Sequence, residues 1–304
     1  MTKQVRPEAG ALFDLTDRAK FRVSGADRVR FLNGQITNDV RKATAELAIQ
    51  ACVLNVKGKI NANVFIAADS ESFLIDSDPE ERETLPARLE RYIIADDVQI
   101  EDVTDEFALL HATGNNSVAA SAPSRTVKAN RFATAGSDFW LARADHNDAV
   151  REIARILPLL DDAAREVLRI ELGIPRWGRE LTDEIIPIEA NLEESTVDYA
   201  KGCYIGQEVI SRIKMSGQTN KRLCGLIALS AAAIEPGMRL FASASEPKDA
   251  GWVTSVCRSE RLQATIALGF VKRGFQAPGT ELHAVREGST GDAVTLKIVP
   301  LPFA

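Results

Sequence analysis

Three histidines, three tryptophans, three tyrosines and four cysteines are all that the 304 residues offer of the side chains most used for metal binding, stacking and nucleophilic chemistry. The cysteines, Cys52, Cys203, Cys224 and Cys257, are scattered and form no Cys-x-x-Cys pair. That spacing suggests neither a zinc site nor a self-contained four-cysteine iron–sulfur site, so no metal ligand is expected. His111, His146 and His283 stand far apart, and the sequence gives a Cys–His nucleophilic dyad no support. No apolar run approaches the ~20 residues needed to span a bilayer. The first eight residues are polar and mixed in charge, with no apolar signal core after them, so the expectation is a cytoplasmic protein without a membrane partner. Basic residues are not in excess either: 37 Lys and Arg against 43 Asp and Glu leave a net charge of −6, which argues against general nucleic-acid binding.

What is present is ordinary in bulk and specific in one place. A hydrophobic share of 45% over this length is enough for a sizeable core, and two or three domains are expected. Charge is uneven: Glu180, Asp183, Glu184, Glu189, Glu193, Glu194 and Asp198 run without a Lys or Arg. Lys201, Arg212, Lys214, Lys221 and Arg222 then face only Glu208. A solvated acidic loop beside a basic helix accounts for this pattern, and so does a cationic rim for an anionic ligand.

Between these charge runs lies Lys201-Gly202-Cys203-Tyr204-Ile205-Gly206-Gln207-Glu208. Gly206 reads as a turn feeding a helix with Val209, Ile210 and Ile213 on its apolar face and Glu208 and Arg212 paired at i,i+4. Cys203 would then sit just ahead of a helix N-terminus and two residues from Lys201, both of which favour the thiolate. The alternative is a glycine-flanked turn whose cysteine is a small core hydrophobe, the commoner fate of a free cysteine.

Along the chain, short strands at 11–15 and 20–23 precede a helix capped by Ser24 or Asp27 and broken near Asn33-Gly34. Runs at 47–56 and 60–67 flank Lys57-Gly58-Lys59, a hairpin signal. A strand at 72–75, a helix over 79–94 starting at Pro79, and strands at 98–103 and 107–111 follow. The small polar stretch 114–124 reads as a junction. Strands at 126–134 and 139–142 and helices at 148–157 and 161–172 come next, then a long loop from Gly173 to Asp198, of a length that is usually functional. Six strand-like runs after Arg222 have no helix between them, and a small closed barrel is their natural arrangement. The resulting divisions are 1–115, 116–220 and 221–304. Interleaved hairpins and helices favour α+β layers over a doubly wound sheet.

Six fixed residues in Lys-Gly-Cys-x-x-Gly-Gln-Glu would recur by chance on the order of once in 10⁷ positions, given roughly 5% usage per residue type. The string resembles the signature of the YgfZ family of folate-binding proteins, relatives of the aminomethyltransferase (T-protein) of the glycine cleavage system. Ile36 to Val40 is similar to the family's Thr-Asn-Asp segment, Asn55 to Val64 to its hairpin, Arg169 to Pro175 to its Arg-Ile-Glu-x-Gly-x-Pro segment, and Pro187 to Leu192 to its Pro-x-Glu-x-Asn-Leu element. Gly251 to Ser255 and Ile266 to Val271 are similar to its barrel, so the likeness covers nearly the whole chain.

The resemblance implies an α+β fold: two α/β-layer, ferredoxin-like subdomains of the aminomethyltransferase folate-binding type plus a C-terminal small β-barrel. It implies tetrahydrofolate, or a derivative, as cofactor, with Glu171 as the carboxylate that accepts two N–H bonds from the pterin edge. Trp177 would pack on the ring and Arg212 would meet the glutamate tail. Asn38, Asp39, Asn55, Lys201, Tyr204 and Gln207 are the other expected binding residues, carried by the matching motifs. Where aminomethyltransferases carry an Asp-Asp pair, this hairpin reads Asn61-Ala62-Asn63, and an amide cannot exchange a proton at neutral pH. The implied function is therefore an accessory factor for iron–sulfur proteins, with Cys203 as a reactive thiol and iron–sulfur client or assembly proteins as partners. A folate-dependent aminomethyl or one-carbon transferase, with Asp39 replacing the missing acid–base group, is the alternative; a scaffold without ligand is a third.

Overall fold

In the computed structural model, residues 10–114, 125–230, 232–243, 248–286 and 293–303 are described. The junction expected at 114–124 lies, apart from Gly114, outside them. Chain contacts group the residues into two bodies.

The first body holds residues 10–161 and 193–211. Its strands and helices are β1 (Leu12–Asp14), β2 (Ala19–Ser24), α1 (Arg28–Gln35), β3 (Ile49–Leu54), β4 (Ile60–Asp69), β5 (Ser72–Ser77), α2 (Thr84–Glu90), β6 (Gln99–Asp102), β7 (Phe107–Thr113), β8 (Arg125–Ala129), β9 (Gly136–Ala142) and α3 (His146–Ile153). A five-stranded sheet runs β3-β4-β5-β2-β6 and a four-stranded sheet β1-β7-β9-β8, with all pairings antiparallel. Because successive strand residues alternate faces, Ala51, Val53, Ala62, Val64 and Ile66 share one side, where they pack with Phe31, Leu32, Leu85 and Leu89 of α1 and α2. Each of the buried Val, Ile, Leu and Phe side chains contributes about 1.5–3 kcal/mol, and each alanine roughly the 0.8 kcal/mol of one carbon. The second sheet buries Leu110, Phe139 and Leu141 against Ala149 and Ile153 of α3. An expected division at 115 cuts this sheet, since β7 pairs in it with the later strand β9.

One helix differs from its sequence expectation. Instead of a continuous helix over 79–94 there is a 3₁₀ turn at Pro79–Glu81 and then α2. Pro86 has no N–H to give to the carbonyl four residues earlier, so it fits only in a first turn, and the helix can begin no earlier than about Thr84.

Arg131 joins the two sheets of this body. Its guanidinium donates to Asp76 of β5 (2.6 and 3.0 Å) and to Asp138 of β9 (2.7 and 2.8 Å), while its face lies 4.1 Å from the Phe65 ring. Arg18 also meets Asp76, and His111 Nδ1 lies 2.7 Å from Asp138. All of these groups are buried or nearly so, and the two arginines offset the two carboxylates.

The second body holds residues 162–192 and 212–303. After α4 (Asp162–Leu172), and after α5 (Glu193–Thr196) and α6 (Gln207–Ser216), come β10 (Lys221–Ala228), β11 (Arg239–Phe241), β12 (Asp249–Ser259), β13 (Ala264–Lys272), β14 (Glu281–Val285) and β15 (Val294–Val299). The six strands close into a barrel in the order β10-β13-β12-β11-β14-β15, as their helix-free run predicts. Leu226, Leu240, Val253, Ala267, Val271, Leu282 and Leu296 fill it. Helix α4 packs on β12, and Arg169 ties the two by donating to Glu166, Glu180 (3.0 Å) and Ser255 (2.8 Å).

Candidate functional site

The motif residues 201–206 form a turn held against α1 and the segment after it. Lys201 is buried, and its ammonium donates to the carbonyls of Asn33 (2.7 Å), Ile36 (2.6 Å) and Asn38 (2.8 Å), one bond for each proton. Desolvation draws its pKa down to about 8. Tyr204 lies buried with its ring centroid 5.0 Å from that ammonium, and burial pushes its phenol up to about 12. Ile205 N–H donates to Gly34 O. This geometry makes Lys201 a clamp for the motif rather than a contact open to a ligand.

Two glycines let the motif meet the β3–β4 hairpin. Gly58, at φ +73°, lies beneath Val209, so that a Cβ there would come within 2.9 Å of the valine Cβ. Gly206, at φ +86°, faces the hairpin, and a Cβ would come within 2.7 Å of Asn55 O. Both positions need the freedom only glycine has. Helix α6 starts at Gln207, as the sequence predicts, and buries Ile210. Among the described residues no ion pair joins Glu208 to Arg212, and Arg212 is exposed.

Cys203 is the exposed cysteine of the four. Burial pushes the other thiols up, to about 12 for Cys52, 11 for Cys224 and 12 for Cys257, which leaves them as thiols at neutral pH.

The hairpin face opposite the apolar core carries amides. Gln50 Nε2 donates to Asn63 Oδ1 across the strands at 3.0 Å, and Asn38 Nδ2 donates to Gln50 O at 2.8 Å. Gln50 Oε1 and Asn63 Nδ2 are left as an acceptor and a donor side by side. Gln50 was not among the residues expected from sequence; it stands opposite Phe65 and reaches Asn63 diagonally, and a glutamine in an otherwise apolar strand is the signal that could have found it.

Other expected site residues have structural partners. Asn38 Oδ1 accepts from Asp39 N–H. Asp39 is gripped by Arg41 (2.7 and 2.8 Å), whose hydrogen bonds hold its carboxyl down to about 2. A carboxylate so held is a poor proton carrier at neutral pH, contrary to the acid–base role considered for it. Asn55 Oδ1 accepts from Lys57 and Lys59 N–H and so shapes the hairpin turn.

In the second body Glu171 is buried, and its carboxylate meets Ser259 Oγ and Arg261 Nε (3.3 Å). Arg261 in turn donates to Phe303 O, and Phe303 N–H to Glu171 O. The expected pterin ligand thus already serves as an anchor between α4 and the barrel. Trp177 is half-buried in the loop after α4, bridged to Leu181.

Two family descriptions match the chain: "GCVT N-terminal domain" over residues 2–135 and "Glycine cleavage T-protein C-terminal barrel domain" over residues 221–304. The chain therefore belongs to the glycine cleavage T-protein family. Within it, the chain is 29% identical to the "tRNA-modifying protein YgfZ" of Shigella dysenteriae, over 96% of this chain and 93% of that protein. It is 26% identical to the aminomethyltransferase of Saccharopolyspora erythraea, over 98% and 88%. The fold is shared with the crystal structure of the glycine cleavage system aminomethyltransferase T from Bartonella henselae, at TM-score 0.82 and 18% identity over 98% of this chain and 87% of that one. The likeness to YgfZ proteins inferred from the Lys-Gly-Cys motif and the α+β-plus-barrel architecture are both borne out.

Proposed function

We propose that this protein binds tetrahydrofolate, or a derivative of it, and serves as an accessory factor in assembling or repairing iron–sulfur enzymes through the thiol of Cys203. The observation that carries the reading is the exposed cysteine on a clamped turn, in a chain whose other three thiols are buried (Cys52) or half-buried (Cys224 and Cys257). A mobile thiol would not need three carbonyls and two glycines to fix its neighbours.

The amide face fits the cofactor. Gln50 Oε1 and Asn63 Nδ2 offer an adjacent acceptor and donor, the complement of the amide-like edge of a pterin, and neither is committed in the hydrogen bond that joins the pair. When bound, a reduced folate would supply one-carbon or reducing chemistry. The residues here bind and orient it: the amides read its edge, and Asn38 steadies Gln50. Glu171 would contribute to the pterin only by releasing Ser259 and Arg261. A single cysteine cannot hold a cluster alone, so a client cluster would be met with ligands from the client.

YgfZ relatives are called tRNA-modifying. With a net charge of −6, we place this chain in such a process through client enzymes that modify tRNA rather than through contact with the RNA. Aminomethyl transfer is the weaker reading, since the hairpin has amides where that reaction uses carboxylates and Asp39 is tied to Arg41.

The test is anaerobic titration calorimetry of tetrahydrofolate into wild type, Asn63→Leu and Cys203→Ser, beside complementation of iron–sulfur enzyme activity in cells. Binding lost in Asn63→Leu and kept in Cys203→Ser, with complementation lost in both, is the expected result. No binding to folded wild type sinks the folate assignment, and full complementation by Cys203→Ser removes the thiol from the mechanism.

A further inference from the structure

A recess opens at the tip of the β3–β4 hairpin, between it and α2. It has a volume of about 460 Å³ and is lined by Asn55, Val56, Asn61, Thr84, Ala87, Arg88, Arg91 and Tyr92. Its chemistry is one-sided. Asn55 has its Oδ1 engaged by Lys57 and Lys59 N–H, which leaves Nδ2 to offer. Asn61 has its Oδ1 buried without a hydrogen-bond partner, so Nδ2 is again the amide atom able to meet an occupant. Arg88 gives one bond to Gln35 Oε1 (3.1 Å) and one to Leu54 O (2.6 Å) and keeps its remaining N–H groups, with its plane 4.2 Å from the Tyr92 ring centroid. Arg91 adds a second guanidinium, exposed at the C-cap of α2, and Thr84 a hydroxyl. Among the described residues no Asp or Glu lines the recess.

Two fixed-charge cations, two amides presenting N–H₂ ends and a hydroxyl, with no carboxylate to oppose them, make a wall of donors. We infer that this recess binds a small organic oxyanion, its charged oxygens taken by Arg88 and Arg91 and by the amides of Asn55 and Asn61, with an apolar body lying on Val56, Ala87 and Tyr92. Guanidinium forks match carboxylate and phosphate oxygens alike. Arg88 is the preorganised member, since its bonds to Gln35 and Leu54 and its stacking on Tyr92 fix its plane before any ligand arrives. Arg91 on the rim is the adjustable one. The recess lies wholly within the first body, and the inference stands whether or not the folate reading does.

Titration calorimetry of the full-length protein with inorganic phosphate and, separately, with glutarate tests it, using wild type, Arg91→Ala and Asn61→Leu. Arg91 is exposed, so its replacement leaves the fold intact, and leucine at 61 removes a buried unpartnered oxygen, so that variant should melt no lower than wild type. Saturable binding of at least one probe, weakened about tenfold or more by each substitution and falling with added salt, is the expected result. Binding of phosphate alone assigns a phosphate ester, binding of glutarate alone a carboxylate, and either supports the site. Absence of saturable binding by both, or binding that neither substitution weakens, overturns it.

Discussion

Lys201 shows how a residue typed by its charge can serve by its protons. Replacing it with Met keeps the aliphatic stem and strips three carbonyls, one buried and two half-buried, of their donor, at about 1–3 kcal/mol for a buried group left unsatisfied. Lys201→Met should therefore lower the melting temperature by several degrees and let thiol reagents modify other cysteines as the fold loosens. A variant that loses folate affinity but melts like wild type would instead make Lys201 a ligand contact. Glu81 gives the complementary case. It is fully buried, one carboxyl oxygen lacks a partner, and burial raises its pKa to about 9. The fold keeps its proton while the unfolded chain loses it above the ordinary glutamate pKa of 4.5, so stability is fully present below about pH 4.5 and falls as pH rises toward 9. Glu81→Gln should thus stabilise by up to about 3 kcal/mol at pH 7. It should add little at pH 4.5, and denaturant titrations at the two pH values would show the difference. Neither role could be read from sequence. Hydropathy marks Lys and Glu as surface residues, and only the fold reveals which carbonyls or which core surround them.

At the scale of elements, alternation and turn chemistry carried much of the architecture. The Lys57-Gly58-Lys59 turn, the strands beside it, α6 after Gly206 and the helix-free barrel run all form where periodicity and glycine place them. Misread elements had a local cause, such as Pro86 deferring α2, or a tertiary one, such as β7 pairing with β9, which comes after residue 120. The Arg131 network was invisible, because Asp76, Asp138 and His111 are brought together from three strands and no spacing rule relates them. Its consequence is testable. Arg131→Met leaves Asp76 and Asp138 buried with less compensation and should cost about 3–5 kcal/mol. Combining it with Asp76→Asn and Asp138→Asn should recover part of that loss. Equal destabilisation of the single and triple variants would mean that packing against Phe65, not charge, sets the cost.

For the molecule as a whole, the two bodies have separate apolar cores, one layered and one enclosed by the barrel. Unfolding should then depart from a single two-state transition. Gly251 assigns the steps: at φ +141°, a Cβ would come within 1.9 Å of Phe270 O, so Gly251→Ala strains the β12–β13 pair in the barrel. Calorimetry of that variant should show one transition lowered and the other in place, and a uniform shift of all heat absorption would argue for one cooperative unit. The family's outline was legible from motifs spread over the chain. The candidate site was legible only in part: the turn that carries Cys203 forms ahead of α6 where Gly206 places it, while the Gln50–Asn63 pair and the partners of Glu171 depend on side-chain contacts that no spacing rule gives.

The apposition of Gly58 with Val209 and of Gly206 with Asn55 also bears on how such a chain can diverge. Two backbone turns, some 150 residues apart in sequence, fit as lock and key with no side chain to spare. A side chain at Gly206 meets the Asn55 carbonyl, which no single substitution removes, and one at Gly58 meets Val209 and requires a smaller residue there. Drift at these four positions must be concerted or absent, and the cysteine turn and the amide hairpin are inherited as one piece.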